Sequence, residues 1–152
     1  MCIGKTRDAL LTEGIKRYTD RVSHYIGFEF LCLPDIKGVA KLSEQQQKER
    51  EGAQMLSMFQ PGDFVVLLDE RGKELTSREF ALSVEQRMNA GLKRLVYVIG
   101  GPYGFSDDMY DRANAKLSLS RMTFSHEMVR LFFVEQIYRA MTIMRGEPYH
   151  HD

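Results

Sequence analysis

Only two cysteines, Cys2 and Cys32, occur in 152 residues. That is too few for a disulfide framework or a cysteine-built metal site, and it points to a reducing cytoplasm. Net charge is also missing, since 21 basic residues balance 21 acidic ones. A non-specific nucleic-acid binder is usually strongly basic, so that class is disfavoured, although a local patch can still hold a nucleic acid. No apolar run approaches the length that spans a bilayer, and nothing reads as a signal peptide. Internal repeats and low-complexity tracts are absent. So are a Gly-Lys-Ser/Thr phosphate loop, a Gly-x-Gly-x-x-Gly dinucleotide fingerprint, a zinc-ligand spacing and a serine or cysteine nucleophile motif. What remains reads as one domain, 1–152, with an apolar fraction of 43% and enough chain for a real core.

The stretch that organises the rest is Arg94 to Phe105. Leu95–Ile99 is a short apolar run that barely alternates, as a strand buried on both faces does. Gly100, Gly101 and Gly104 follow, where the backbone can turn sharply and lie close to something bulky. In open α/β sheets, ligands bind beyond the carboxyl ends of the strands, so a glycine loop there is a candidate site. The plain alternative is a turn that needs its glycines for steric reasons alone.

Taken in order, the chain alternates. Met1–Ile3 is a very short apolar start before Gly4-Lys5-Thr6. Asp8 is placed to cap a helix carrying Leu10, Leu11, Ile15, Tyr18 and Val22 at helical spacing. A strand is predicted from Gly27 to Leu33, stopped by Pro34. Ser43 to Gln46 fits a capping box for a polar helix running to about Phe59. Phe64–Leu68 reads as a second buried strand, with Asp69 to Gly72 as a turn. Thr76 to Glu79 is another capping box, for a helix ending at Gly91. After the central strand, Ser106 starts a short helix to about Lys116, and its acids favour that end. Leu117–Ser120 is a further strand, with a loop through Phe124. Ser125 caps a last helix that is apolar almost all round, from Met128 to Met144, and Gly146 ends it. A helix of that kind is buried on most faces, part of it under a second subunit in a domain this small. The pattern predicts an α/β fold with a mostly parallel sheet and helices on both faces.

Three loops, at Leu68-Asp69, at Gly100-Gly101 and from Leu119 to Phe124, follow strand ends that share one edge of such a sheet. Together they can form one pocket of apolar side chains and exposed backbone. That suits an adenine-like ring better than a phosphate; the alternative is three ordinary loops. The tail Tyr149-His150-His151 can serve proton transfer or base contact, or be a frayed end or tag remnant. Glu135 and Arg139, one turn apart, pair with each other or reach across a subunit interface. His126 reads as a polar first-turn residue and His24 as surface.

At Ile99-Gly-Gly-Pro-Tyr-Gly104, Leu119-Ser-Arg-Met-Thr-Phe124, and Glu135-Gln-Ile-Tyr-Arg-Ala140 followed by Glu147-Pro-Tyr-His150, the chain resembles the RlmH family. These are pseudouridine N3-methyltransferases of the large ribosomal RNA, of the SPOUT class. The resemblance spans essentially the whole chain. The family opens with a full apolar strand, of which Met1–Ile3 stand here. The resemblance implies a C-terminal trefoil knot that forms an S-adenosylmethionine pocket, a rare topology otherwise. It also implies a homodimer packed partly through the last helix. Cofactor contacts carry over to Leu68, Gly100, Leu119, Ser120, Arg121, Met122, Thr123 and Phe124. The implied substrate is a pseudouridine in the 23S RNA of an assembled large subunit or ribosome, with no metal and no membrane involved. His150 is the expected proton acceptor, with Tyr149 orienting base or nucleotide and Arg139 stabilising developing negative charge. Lys5, Arg7, Lys37 and Lys41 are candidate phosphate contacts. The rival readings are a non-catalytic ribosome-binding assembly factor and a Rossmann-like nucleotide-binding domain.

Overall fold

A computed structural model describes residues 1–151. Its strands are β1 (Cys2–Ile3), β2 (Cys32–Leu33), β3 (Asp63–Glu74), β4 (Arg94–Ile99) and β5 (Ala115–Ser118). Its helices are α1 (Ala9–Ser23), α2 (Glu44–Leu56), α3 (Ser77–Asn89), α4 (Asp107–Arg112) and α5 (Met128–Met144). The strict alternation of strand and helix is the one expected from the sequence.

All strand pairs are parallel. β3 lies between β4 and β5, and β1 pairs with β2. The two sheets meet where Ile99 N donates to Met1 O at 2.9 Å and Met1 N donates to Tyr97 O at 2.8 Å. The strand succession is therefore β2-β1-β4-β3-β5.

Helices cover both faces, because β3 is apolar on both. Val66 points into a core with Val22 of α1, Phe80 and Val84 of α3, and Phe133 and Ile137 of α5. Its neighbours Val65 and Leu67 point the other way, against Met55 of α2 and Met109 of α4. Alternation of side chains along a strand sends adjacent residues to opposite layers.

The helix starts follow local chemistry. Asp8 accepts from Leu11 N at 3.0 Å, and both predicted capping boxes form, at Ser43/Gln46 and Thr76/Glu79. Ser125 Oγ accepts from Met128 N at 3.2 Å, but the N-cap residue of α5 is Glu127, whose side chain makes no cap bond.

Three boundaries differ from expectation. The strand predicted over 27–33 is reduced to Cys32–Leu33, because β1 offers only Cys2 and Ile3 as ladder partners. The predicted turn at Asp69–Gly72 is instead part of β3. There the register against β5 shifts between Leu68 and Lys73, so Leu117 pairs with both, a bulge inside one long strand. Gly72 permits this: a Cβ on it would lie 2.5 Å from Leu117 C and 2.6 Å from Leu117 N. Finally, α4 stops at Arg112 and β5 begins at Ala115, ahead of the predicted Leu117. Asn114 causes this by clamping β3: its N donates to Val65 O and its Oδ1 accepts from Val65 N, both at 2.8 Å.

Two arginine contacts tie the frame, one from a buried side chain and one from a half-exposed one. Arg130 of α5, 2% exposed, donates from Nη2 to Ile3 O at 2.7 Å. Its Nη1 donates to Gly4 O at 2.9 Å and Thr6 Oγ1 at 3.0 Å. At the other end of the sheet, Arg94 grips Asp63 with a fork, Nε to Oδ1 at 2.9 Å and Nη2 to Oδ2 at 2.5 Å. Gln60 N adds a bond to Oδ2 at 2.8 Å.

The Arg94 fork holds the Asp63 carboxyl below the usual carboxylate range. An unfolded aspartate titrates near about 3.9. The folded one titrates lower, so its contribution is complete above that value and is lost as pH falls through the folded value. Asp63→Asn is expected to cost about 1–3 kcal/mol at neutral pH and to flatten the acid limb of stability. Denaturant midpoints measured across pH check this. A variant with an unchanged acid limb would assign the acid sensitivity elsewhere.

Candidate functional site

Because every strand runs the same way, the carboxyl ends of β3, β4 and β5 open onto one edge. A cavity of about 530 Å³ lies there. Leu68 closes it from β3 and Gly100 from β4, while Leu119, Ser120, Met122, Thr123 and Phe124 close it from the segment after β5. The three loops singled out in the sequence thus converge. Arg121 does not join them. It points outward, with its side chain 89% exposed, and pairs with Glu74 at 3.2 Å.

The loop after β5 is shaped by its own hydroxyls. Ser118 Oγ donates to Ser120 O at 3.1 Å, and Ser120 Oγ accepts from Met122 N at 2.9 Å. These bonds present Met122 and Phe124 outward, 77% and 37% exposed. Apolar side chains held open around a concavity suit a flat apolar ring.

The glycine loop is tight. Gly104, at φ 82°, donates its N–H to Gly101 O at 3.1 Å. A Cβ on Gly101 would fall 2.1 Å from Glu51 Oε2. Glu51 of α2 is buried behind this loop, its Oε1 held by Gln47 Nε2 at 2.8 Å. Burial pushes its carboxyl above the ordinary range.

Sequence reasoning missed a second pair at the rim. Tyr110 of α4 donates to Asp69 Oδ2 at 2.5 Å, and both line the cavity. Burial, with Asp69 beside it, pushes the Tyr110 phenol up to about 12, so it stays a donor. The two residues stand 41 positions apart, and no local pattern links them.

The cavity offers main-chain groups and apolar walls that suit an adenine-like ring.

The tail is docked, not frayed. Tyr149 OH donates to Glu135 Oε1 at 3.1 Å and meets Tyr18 OH at 3.2 Å. Its ring lies against Tyr138, with centroids 4.7 Å apart, and beneath the Arg139 guanidinium at 4.9 Å. Arg139 Nη2 donates to Glu135 Oε1 at 2.6 Å, and Arg139 Nη1 sits 3.3 Å from His150 Nδ1. A guanidinium cannot accept, so Nδ1 is the acceptor and that lone pair is engaged. Burial, together with Tyr18 and Glu135, holds the Tyr149 phenol protonated. The structure therefore brings Arg139, Tyr149 and His150 together, and none of the three lines the cavity of its own chain.

Lys5 and Arg7 follow β1, and Lys37 and Lys41 follow β2; all four are exposed. Both loops leave the same sheet edge as the cavity. His24 and His126 are exposed, and His126 lies at the cavity rim.

A family profile described as "Predicted SPOUT methyltransferase" matches residues 1–150. The chain is 59% identical over 151 residues to the ribosomal RNA large subunit methyltransferase H of Christiangramia forsetii, covering 99% of this chain and 96% of the relative. It is 57% identical to the protein of that name from Parabacteroides distasonis over 150 residues, 99% and 96% of the two chains. The Bacteroides thetaiotaomicron protein of the same name is 52% identical over 152 residues, 100% and 97%. A family match across residues 1–150 and relatives this similar over nearly their whole length show that the chain belongs to the SPOUT methyltransferase family.

Proposed function

We propose that this protein methylates N3 of a pseudouridine in 23S ribosomal RNA, using S-adenosylmethionine, on the assembled large subunit or ribosome. The observation that carries the reading is the cavity at the ends of β3, β4 and β5. Near-identity of length and 49–59% identity to ribosomal RNA large subunit methyltransferases H support the choice of RNA. A ribosomal RNA substrate assigns the protein to the cytoplasm, where ribosomes are.

S-adenosylmethionine supplies an activated methyl on a cationic sulfur. The chain's task is to position and to manage a proton. Leu68, Gly100, Leu119, Ser120, Met122, Thr123 and Phe124 form the pocket, and Arg121 stands at its outer edge to meet RNA. The imide N3–H must be lost for that nitrogen to attack. We assign its acceptance to His150, after Arg139 leaves Nδ1 and turns to the developing negative charge on the base. Tyr149, protonated, orients the nucleotide. Lys5, Arg7, Lys37 and Lys41 hold phosphates beside the pocket.

The tail's distance from its own cavity favours a homodimer in which one protomer's tail serves its partner's pocket. An apolar concavity of about 540 Å³, walled by Phe28, Phe30, Leu31 and Tyr97, supports self-association. The double pairing of Leu117 across the β3 bulge supports a knotted passage of the chain in this single domain.

Labelled S-adenosylmethionine, incubated with the protein and either intact ribosomes or free ribosomal RNA, tests the reading. Label is expected in the large-subunit RNA of intact ribosomes and sparingly in free RNA. Binding to ribosomes without label transfer would make the protein an assembly factor. A thermal shift of a few kcal/mol is expected with saturating S-adenosylmethionine. The same shift with flavin or nicotinamide nucleotides instead would make it a nucleotide-binding domain.

A further inference from the structure

We propose that Cys2 and Cys32 form a redox-active dithiol that peroxide oxidises, reversibly, to an intramolecular disulfide. This is independent of the methyl-transfer chemistry. The chain's only two cysteines stand directly opposite one another, Cys2 on β1 and Cys32 on β2, as Cα partners in a parallel pair. Their sulfurs are 3.3 Å apart, and both are free thiols. Strands in a ladder lie about 4.8 Å apart, which falls within the Cα spacing a disulfide accepts. Closing the bond therefore needs side-chain rotation and no rearrangement of the strands.

The two thiols are not equivalent. Cys2 is fully buried and Cys32 half-buried, so an oxidant reaches Cys32 first. Either sulfur can donate in their contact; with the more exposed Cys32 as thiolate, Cys2 donates to it, and the nearby Arg130 guanidinium favours that thiolate further. The Cys32 thiol is lowered to about 6 by that bond, while the same bond and burial raise Cys2. Cys32 is thus the attacking sulfur and Cys2 the resolving one.

The chemistry balances with hydrogen peroxide as oxidant. The Cys32 thiolate attacks one peroxide oxygen. The O–O bond breaks, leaving a sulfenic acid on Cys32 and hydroxide, which is protonated to water. Cys2 then attacks the sulfenic sulfur. The S–S bond forms, the S–O bond breaks, and the second water carries away the Cys2 proton. Two thiols are oxidised by two electrons and one peroxide is reduced to two waters. A small dithiol reverses the step.

The strands joined are not peripheral. β1 lies between β2 and β4, and Ile99 of β4, bonded to Met1, leads directly into Gly100 of the cavity. Oxidation staples the sheet beside that loop and closes the chain from 2 to 32 into a ring.

The test uses the full chain and brief stoichiometric hydrogen peroxide, followed by alkylation under denaturing conditions and non-reducing peptide mapping. Both thiols are expected to disappear together, with the peptides holding Cys2 and Cys32 cross-linked and the thermal midpoint raised. Dithiothreitol should restore both. In Cys2→Ser, dimedone is expected to trap a sulfenic acid at Cys32; in Cys32→Ser, Cys2 should remain reduced. Free, alkylatable thiols under peroxide that oxidises a small control thiol would overturn the proposal. So would cross-links only between chains. The wild-type map decides the matter even if a serine variant folds poorly.

Discussion

Removing residues 149–152 is expected to lower methyl transfer to ribosomes by at least about a hundredfold while leaving S-adenosylmethionine affinity unchanged. The size follows from the usual contribution of a positioned proton acceptor. The selectivity follows from geometry. Tyr149 and His150 dock on Glu135, Arg139 and Tyr18, and none of these lines the cavity of their own chain. Loss of the tail should therefore spare pocket walls and remove only the groups that handle the base. Tyr149→Phe should fall between, because the ring stays beneath Arg139 while the hydroxyl bonds to Glu135 and Tyr18 are lost. Single-turnover rates with calorimetric cofactor binding separate the two effects. A truncated chain that methylates at the native rate would remove the tail from the mechanism. A truncated chain that loses the cofactor would place the tail in the pocket wall.

Gly72→Ala is expected to be the most damaging small substitution for stability. Its Cβ would meet backbone atoms of Leu117 and Ser118 at 2.5 to 2.7 Å, and backbone in a paired strand cannot rotate away as a side chain can. Overpacking usually costs about 1–3 kcal/mol, and this case belongs at or above the upper bound. For a chain of this size that lowers the thermal midpoint by about 10 °C. Gly27→Ala is the matched control, since no atom lies within 4 Å of its added carbon. It should change stability by less than about 0.5 kcal/mol. Cofactor affinity should fall with Gly72→Ala as well, because the strands forced apart carry Leu68 and Leu119 to the cavity. Equal midpoints for the two variants would show that the β3–β5 crossing relaxes freely.

These two cases also mark what was legible in the sequence. The alternation of strands and helices was, because capping boxes and unbroken β-branched runs are local signals. Ser43/Gln46 and Thr76/Glu79 open their helices where expected. The convergence of three strand ends was legible too, since it follows from parallel strands alone. The extent of β3 was not. Asp69-Glu-Arg-Gly72 carries the composition of a turn, and what keeps it extended is a strand that arrives forty residues later. Phe28 and Phe30 alternate like a strand, yet β1 gives them no ladder. The Asp69–Tyr110 and Cys2–Cys32 contacts join residues remote in sequence, so no spacing rule reaches them. The tail shows the same limit: the chemistry of Tyr149 and His150 is local, while their docking on α1 and α5 depends on residues as distant as Tyr18.

The guanidinium of Arg130 has a consequence for how the molecule is made. It supplies the bonds that Ile3 and Gly4 lack, from a helix that emerges from the ribosome 126 positions after Gly4. Until α5 docks, β1 is held only by its pairings with β2 and β4, which join distant stretches and so form slowly. Seating β1 against α5 is therefore expected among the later steps of folding.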